Sequence, residues 1–230
     1  MIYLYLIATV LIFLAAKKLL SPFKTPLANP LLVSILFFIG LFSLTPLNYQ
    51  DYAKANQPFI WLLEPAVVAL AIPLFYQVAQ IKAQFFAIIL SCCTGVIIAI
   101  SSCLSVALLL TNDKVLLLSL LPKSVTSPIA MAIANETGGL ASLAAAVVIA
   151  VGLLGALGGF SLLKFCKITN PQAQGLAMGC SAHAIGTAKA MEVGNEQGAF
   201  SSIALVISGL LTAILAPLFV LLINMFIPVL

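Results

Sequence analysis

Residues 116–136 read LLLSLLPKSVTSPIAMAIANE, a stretch apolar enough for a membrane but too interrupted to form one straight helix. Proline, serine and threonine break it, and Lys123 stands in its middle. Residues 175–196, GLAMGCSAHAIGTAKAMEVGNE, have the same character around His183. Non-helical backbone at membrane depth is tolerated only where protein or a water-filled cavity surrounds it. Both stretches are therefore predicted to be re-entrant or discontinuous helices.

Apolar runs of about membrane length surround these two stretches. They cover residues 2–20, 30–47, 58–78, 84–110, 140–163 and 201–226. Each is close to the roughly 20 residues that cross a bilayer core of about 30 Å. The sequence thus predicts an all-α polytopic membrane protein, with about six spanning helices plus two broken segments, in a single transmembrane domain over residues 1–230.

The composition excludes a soluble protein. Of the 230 residues, 63% are hydrophobic and 7% are charged, and the mean hydropathy is +1.23. A soluble domain carries about 25% charged residues. A membrane β-barrel is disfavoured because its strands alternate polar and apolar residues. The scattered lysines and the absence of arginine argue against a nucleic-acid partner. The five cysteines have no metal-site spacing and are expected to be packing residues.

An internal repeat relates the two broken stretches. At an offset of 60 residues, seven of the fifteen positions 130–144 are identical to their counterparts, including an Asn-Glu-x-Gly motif. The repeat units are residues 116–165 and 175–228, and their register places Lys123 opposite His183. Each unit consists of one broken segment followed by one clean helix.

The orientation of the repeat depends on the lysines at residues 164 and 167. If they lie in the cytoplasm, with the other helix-end lysines, the rule that positive residues stay inside makes the two units inverted. Their broken tips then meet near the membrane midplane, as in many secondary transporters. If Lys164 and Lys167 lie outside, both broken segments span the membrane and the repeat is parallel.

Lys123 is the first candidate for a substrate-binding residue. A charged side chain at mid-bilayer costs about 2.5–3.5 kcal/mol, so it needs a partner or a function. Pro122 suits the first turn of a half-helix, whose free N–H groups attract an anion. The expected binding group is Lys123, Ser124, Thr126 and Ser127. The structural alternative is a lysine that pairs with Glu64 or extends to the membrane surface.

His183, the sole histidine, and Thr187 are the candidates in the second stretch. His183 is expected to bind substrate or to relay a proton, and a buried structural histidine is the alternative. Glu64 either carries a coupling proton, pairs with Lys123 or caps a helix. Glu136 and Glu196 close the two repeats and are expected to mark loops, with gating or ion contact as the alternative. Lys189 and Glu192, three residues apart, suit an intrahelical ion pair.

The sequence contains no constellation typical of an enzyme. Paired catalytic carboxylates, a metal-ligand cluster, a P-loop and a Gly-x-Ser-x-Gly motif are all missing. We therefore expect neither an enzyme nor a bound metal or cofactor.

At these stretches the chain resembles the LrgB/CidB family of bacterial membrane proteins, often described as antiholin-like. The segments LLEPAVVALAIP (62–73), LLPKSVTSPIAM (120–131) and GLAMGCSAHAIGTAKAMEVGNEQGA (175–199) carry the resemblance, which covers nearly the whole chain. The candidate site residues fall inside these motifs. Ser127 departs from the family pattern, since threonine is common there, but it retains the hydroxyl group.

The resemblance implies a small hydroxy- or keto-carboxylate as substrate, because the family includes the C-terminal part of the plastid glycolate/glycerate transporter. It also implies the bacterial inner membrane and a small LrgA/CidA-like membrane partner. The main hypothesis is a transporter of monocarboxylates such as glycolate, glycerate, lactate or pyruvate, with proton coupling left open. The alternatives are an antiholin-like regulator of murein hydrolase export and lysis, and an ungated anion pore. The oligomeric state is left open between a monomer and a homo-oligomer.

Overall fold

A computed structural model describes residues 2–22, 30–62, 65, 68, 75 and 78–226 of the chain. Within these ranges the protein is helical and contains no strand. Two compact units are present, Met1–Val68 and Ala69–Leu230. Three helices of the second unit are long and apolar enough to cross a membrane: Phe85–Leu110, Ala141–Phe165 and Asn195–Met225. The all-helical membrane class is thereby confirmed, whereas the count of six spans stays a prediction.

The first unit differs from the sequence prediction after its first helix. Its helices are α1 (Ile2–Leu20), α2 (Pro30–Leu44), α3 (Tyr49–Ala55) and α4 (Gln57–Trp61). The prediction that the second run extends to residue 47 is wrong, because α2 ends at Leu44, two residues before Pro46, whose ring and missing N–H disfavour a helix. Asn48 then starts α3 by accepting a hydrogen bond from the amide of Gln50. Most of the predicted run 58–78, including Glu64, lies outside the described residues.

An aromatic cluster around Tyr52 packs the first unit. The Tyr52 ring lies 4.9 Å from that of Phe38 and 5.1 Å from that of Phe42, measured between ring centroids. The Tyr52 hydroxyl also accepts a hydrogen bond of 3.2 Å from Thr9 on α1. Tyr52 therefore connects α1, α2 and α3.

The second unit contains both broken stretches. Its helices are α5 (Val78–Ala83), α6 (Phe85–Leu110), α7 (Lys114–Leu120), α8 (Ser127–Thr137), α9 (Ala141–Phe165), α10 (Pro171–Val193) and α11 (Asn195–Phe226). The first stretch is interrupted at residues 121–126, between α7 and α8. The second stays helical through α10 except at His183, where φ is 40° and ψ is −135°. These interruptions lie at the two positions, 123 and 183, that the 60-residue register pairs; the duplication itself stays a prediction.

The segment from α7 to α8, residues 114–137, turns back on itself, so that its two ends lie close together. The hydroxyl of Ser119 accepts a hydrogen bond of 2.7 Å from the amide of Leu140, the residue just before α9. The next residue, Leu120, has its carbonyl 3.8 Å from the Cys103 sulfur, two turns before α6 ends. The start of α9 thus lies close to the end of α6. We call this segment hairpin A.

Residues 171–193, which form α10, also turn back at their middle. The Gln172 side chain, near the start of α10, donates a 2.9 Å hydrogen bond to Glu196 at the start of α11. Ala190, in the second half of α10, packs with Met178 and Ala182 of the first half. Both ends of the segment therefore lie on one side, and we call it hairpin B.

Glycines on α9 allow hairpin B to pack very closely. A Cβ at Gly159 would lie 2.5 Å from the Met178 sulfur, and one at Gly155 would overlap the Cβ of Ala182. At Gly152 it would lie 2.5 Å from the His183 ring. Small residues permit such close contact between helices in a membrane, where van der Waals packing is the main attraction.

Candidate functional site

The interruptions in the two hairpins meet at one residue of α9. Val125, in the interruption of hairpin A, belongs to a buried cluster with Val148 and with Ala144, one turn earlier on α9. The backbone carbonyl of Val148 accepts a 2.7 Å hydrogen bond from Nε2 of His183, the kink residue of hairpin B. Val148 is therefore the meeting point of the two interruptions. It lies about 10 Å from the start of α9, at 1.5 Å per residue.

Hairpin A contributes a cation and two buried hydroxyl groups. The Lys123 ammonium donates a 3.4 Å hydrogen bond to the hydroxyl of Ser124, and within the described ranges it has no carboxylate in ion-pair range. Ser124 and Thr126 are each 7% exposed. The Thr126 hydroxyl is buried, yet no hydrogen-bond partner for it occurs in the described part of the chain. A buried hydroxyl without a partner costs about 1–3 kcal/mol, which a bound ligand would recover.

Thr126 is also the residue immediately before α8, and its hydroxyl departs from the usual hydrogen bonding at that position. Threonine at this position normally accepts a hydrogen bond from an amide in the first turn. Here that bond is missing, and Pro128 has no N–H to donate. The helix N-terminus adds a partial positive charge beside Lys123. The group can therefore bind one small anion, with Thr126 supplying a hydrogen bond to it.

His183 lies in the interior and connects hairpin B to α9. It is 2% exposed, and Nε2 donates to the Val148 carbonyl, so in the neutral ring Nδ1 is the nitrogen free to accept. Its positive φ is strained for any residue other than glycine. Both observations support a structural contribution, and the proposed substrate or proton role stays a prediction.

At position 183, a glycine variant should be more stable than an alanine variant, which is the reverse of the usual order in a helix. In an ordinary helix, glycine is less stable than alanine by about 1 kcal/mol. At φ 40° we expect His183→Gly to be the more stable variant, by about 1 kcal/mol, because alanine keeps the backbone strain. Both variants lose the bond to Val148 and should melt below the wild type. Thermal unfolding in detergent measures this, and an alanine variant that melts above the glycine variant would contradict the kink.

Thr187, the second candidate in this stretch, lies against α11, and its expected substrate-binding role stays a prediction. Its hydroxyl shares a 2.8 Å hydrogen bond with the Ser201 hydroxyl on α11, and both residues are buried. Ser127, the first residue of α8, is half-buried. No hydrogen bond among the described residues joins Lys123 to His183 or Thr187. The structure thus groups Lys123, Ser124, Thr126 and Ser127 at hairpin A, and within the described ranges His183 is related to them through Val148.

The remaining charged candidates lie at the surface. Lys189 and Glu192 form a 2.8 Å ion pair, as their spacing predicts. Glu136 is exposed near the end of α8, where Gly138 ends the helix with a φ of 90°. The Glu196 carboxylate holds the base of hairpin B through Gln172.

Val148 and the glycines on α9 are functional candidates that the sequence reasoning missed. A carbonyl contact leaves no trace in residue type, so Val148 carried no signal. Gly152, Gly155 and Gly159 do recur on one face of a helix, a spacing typical of close helix packing. That signal was available in the sequence.

The fold and site together define a membrane protein, helical throughout its described ranges, in which two interrupted segments pack against one long apolar helix, α9. Residues 9–222 match the LrgB-like family. The chain belongs to this family, which confirms the resemblance noted in its motifs.

Three relatives illustrate the range of similar proteins. The chain is 34% identical over 216 residues to an uncharacterized protein of Haemophilus influenzae, covering 94% of each. It is 36% identical over 212 residues to the uncharacterized protein YwbG of Bacillus subtilis, covering 92% of this chain and 94% of YwbG. It is 32% identical over 219 residues to the holin-like protein CidB of Staphylococcus aureus, covering 95% and 96%. No solved structure matches the chain.

Proposed function

We propose that this protein transports a small monocarboxylate across the membrane, with the anion bound at the interruption of hairpin A. The observation that carries this proposal is the Thr126 hydroxyl just before α8, three residues after Lys123, which is buried and has no hydrogen-bond partner among the described residues. A carboxylate would accept hydrogen bonds from Lys123, Thr126 and the free amides of the first turn. One cation suits one negative charge, so a monocarboxylate should bind better than a dicarboxylate.

The arrangement of the hairpins supports a transporter. Hairpin A reaches Val148 from the N-terminal end of α9, because Ser119 lies against Leu140. Hairpin B reaches it from the C-terminal end, since Met178 packs with Leu163 and against Gly159. If α9 spans the membrane, the hairpins enter from opposite sides and the repeat is inverted. Transporters with inverted repeats commonly place broken helices at a central binding site.

Labelling of single cysteines from the two membrane sides tests this topology. We expect Asn112→Cys and Glu136→Cys, at the two ends of hairpin A, to react with a charged maleimide from the same side. The native Cys166, at the end of α9, and Val193→Cys, at the end of hairpin B, should react only from the other side. The variants are made in a background without other cysteines. If residues 112 and 136 react from opposite sides, hairpin A crosses the membrane and the inverted arrangement is wrong.

Uptake into proteoliposomes tests the transport activity. Purified protein is supplied with labelled glycolate, glycerate, lactate or pyruvate, and with a dicarboxylate as the control. We expect saturable uptake of a monocarboxylate, with accumulation above equilibrium when a proton gradient is imposed if a proton is coupled. Equilibration without accumulation under any gradient indicates the ungated pore. Failure of every carboxylate to enter would refute the transport proposal.

A second candidate function rests on a relative's name, since CidB of S. aureus is called holin-like. In this reading the protein acts in the bacterial inner membrane, with a small LrgA/CidA-like partner, to regulate murein hydrolase export and lysis. The test is the lysis timing of cells that carry Lys123→Ala or His183→Ala at wild-type protein levels. Unchanged timing with Lys123→Ala supports regulation through helix surfaces, whereas altered timing connects lysis to the anion site.

A further inference from the structure

Two thiols face each other between α6 and hairpin B. Cys92, on α6, and Cys180, on α10, are neighbours in one buried cluster, and their side chains interact directly. Cys92 is 0% exposed and Cys180 is 7% exposed. Neither is part of the anion site described above, and all five cysteines are unpaired.

Gly95 brings the two helices into contact at this point. It follows Cys92 by three residues, so it lies on the same face of α6. A Cβ at Gly95 would lie 3.4 Å from the Cys180 Cβ and 3.6 Å from its sulfur. A disulfide needs Cα atoms about 4.4–6.8 Å apart, a separation that only closely packed helices provide. The absence of a side chain at Gly95 permits that separation.

A cavity gives one of the two thiols a route to small molecules. It measures about 320 Å³ and lies between α6 and the first half of hairpin B, with Cys180 in its wall. Most of its lining is small, and the full set is Ser91, Gly95, Ala99, Ala173, Leu176, Ala177, Cys180 and Ser181. A small uncharged molecule such as a hydroperoxide fits this volume and this largely apolar lining. Cys180 is therefore the thiol that such a molecule reaches first.

We propose that Cys92 and Cys180 form a redox latch that a hydroperoxide closes and a thiol reductant opens. Cys180 attacks the peroxide oxygen, so the thiol and ROOH become a sulfenic acid and ROH. The Cys92 sulfur then attacks the sulfenic sulfur, forming the S–S bond and releasing water. Two electrons pass from the thiols to the peroxide, and both thiol protons end in ROH and water.

The disulfide would fasten hairpin B to α6 by a covalent bond. Without it, hairpin B is held by packing against α9 and α11 and by hydrogen bonds such as that of His183. If transport requires hairpin B to move, the closed latch stops it; this consequence rests on the proposed function. The formation of the bond does not.

The test compares two variants of the whole protein in membrane vesicles. One keeps Cys92 and Cys180, with Cys93, Cys103 and Cys166 changed to serine. The matched control keeps Cys93 instead of Cys92, which moves the thiol one residue around α6. Vesicles are treated with tert-butyl hydroperoxide and denatured, and the free thiols are counted with a maleimide-polyethylene glycol reagent.

We expect the first variant to lose both free thiols within single chains, to yield a peptide joining Cys92 to Cys180, and to regain both thiols with dithiothreitol. The control should yield no linked peptide. Two unreacted thiols in the first variant, equal linkage in the control, or linkage between chains would each overturn the latch.

Carboxylate uptake by the same vesicles, measured before and after oxidation, tests the proposed transport function and the effect of the disulfide separately. Reduced vesicles measure transport without the disulfide. If they take up no carboxylate, that result contradicts the proposed function and leaves the disulfide proposal unaffected. Where reduced vesicles transport, we expect oxidation to lower uptake at least 10-fold in the first variant and to leave the control unchanged. Full uptake with the disulfide formed would refute the regulatory role of the latch.

Discussion

Lys123→Ala should lower carboxylate uptake by about 10- to 100-fold while the protein remains folded. The change removes the ammonium group from the interruption that precedes α8, where we place the bound carboxylate. A hydrogen bond to a charged group contributes about 1.5–3 kcal/mol, which corresponds to this range. Folding should tolerate the loss, since among the described residues the Lys123 ammonium makes one hydrogen bond, of 3.4 Å to Ser124, and no ion pair.

Two further variants make this prediction specific. Lys114→Ala removes the other lysine of hairpin A, at the start of α7, and uptake should stay near the wild-type level. Lys123→Arg keeps the charge and should retain more uptake than alanine, because a guanidinium also binds a carboxylate. Wild-type uptake by a folded Lys123→Ala protein would eliminate the anion site at hairpin A.

Gly155→Leu should lower the melting temperature of the protein by about 2–12 °C, the largest stability effect that we predict. A Cβ at this position overlaps that of Ala182, so a leucine must push hairpin B away from α9. Inserting atoms into a well-packed interior typically costs about 1–3 kcal/mol, which corresponds to a shift of this size for a protein of this length. The measurement is thermal unfolding in detergent.

Gly158→Leu is the matched control for this prediction. Gly158 lies on the same helix, three residues further on, and apart from its own helix backbone no atom of the described residues lies within 4 Å of the position its Cβ would occupy. Leucine also favours a helix more than glycine does, so the control should melt at or slightly above the wild-type temperature. If the two variants melt at the same temperature, α9 and hairpin B are not packed as described.

The helices of the second unit could be predicted well from the sequence because their apolar runs are long. The predicted runs 84–110 and 140–163 correspond closely to α6 and α9. The largest boundary difference is at α11, which begins at Asn195 rather than at 201. Its extra turns are polar and carry Glu196, so an apolar pattern could not reveal them, whereas contact with hairpin B stabilises them.

The candidate site could be predicted only in part. The residues of hairpin A are neighbours in sequence, so their grouping could be predicted. The helix start expected at Pro122 is wrong: residues 121–126 form the interruption, and α8 begins at Ser127 with Pro128 in its first turn. The partners of His183 and Thr187 could not be predicted, because each is fixed by packing with a helix distant in sequence. Thr187 bonds to Ser201 and His183 to a carbonyl, and neither contact follows a residue pattern.

Val148 contacts the two hairpins through different groups. Its side chain packs in one cluster with hairpin A, and its backbone carbonyl oxygen accepts the hydrogen bond from hairpin B. Substitutions at this position change the first contact and leave the second in place, since every residue type has the same carbonyl. Exchanging this aliphatic side chain therefore alters the packing of hairpin A without removing the acceptor that His183 uses. The attachment of the opposite hairpin is insulated from such variation.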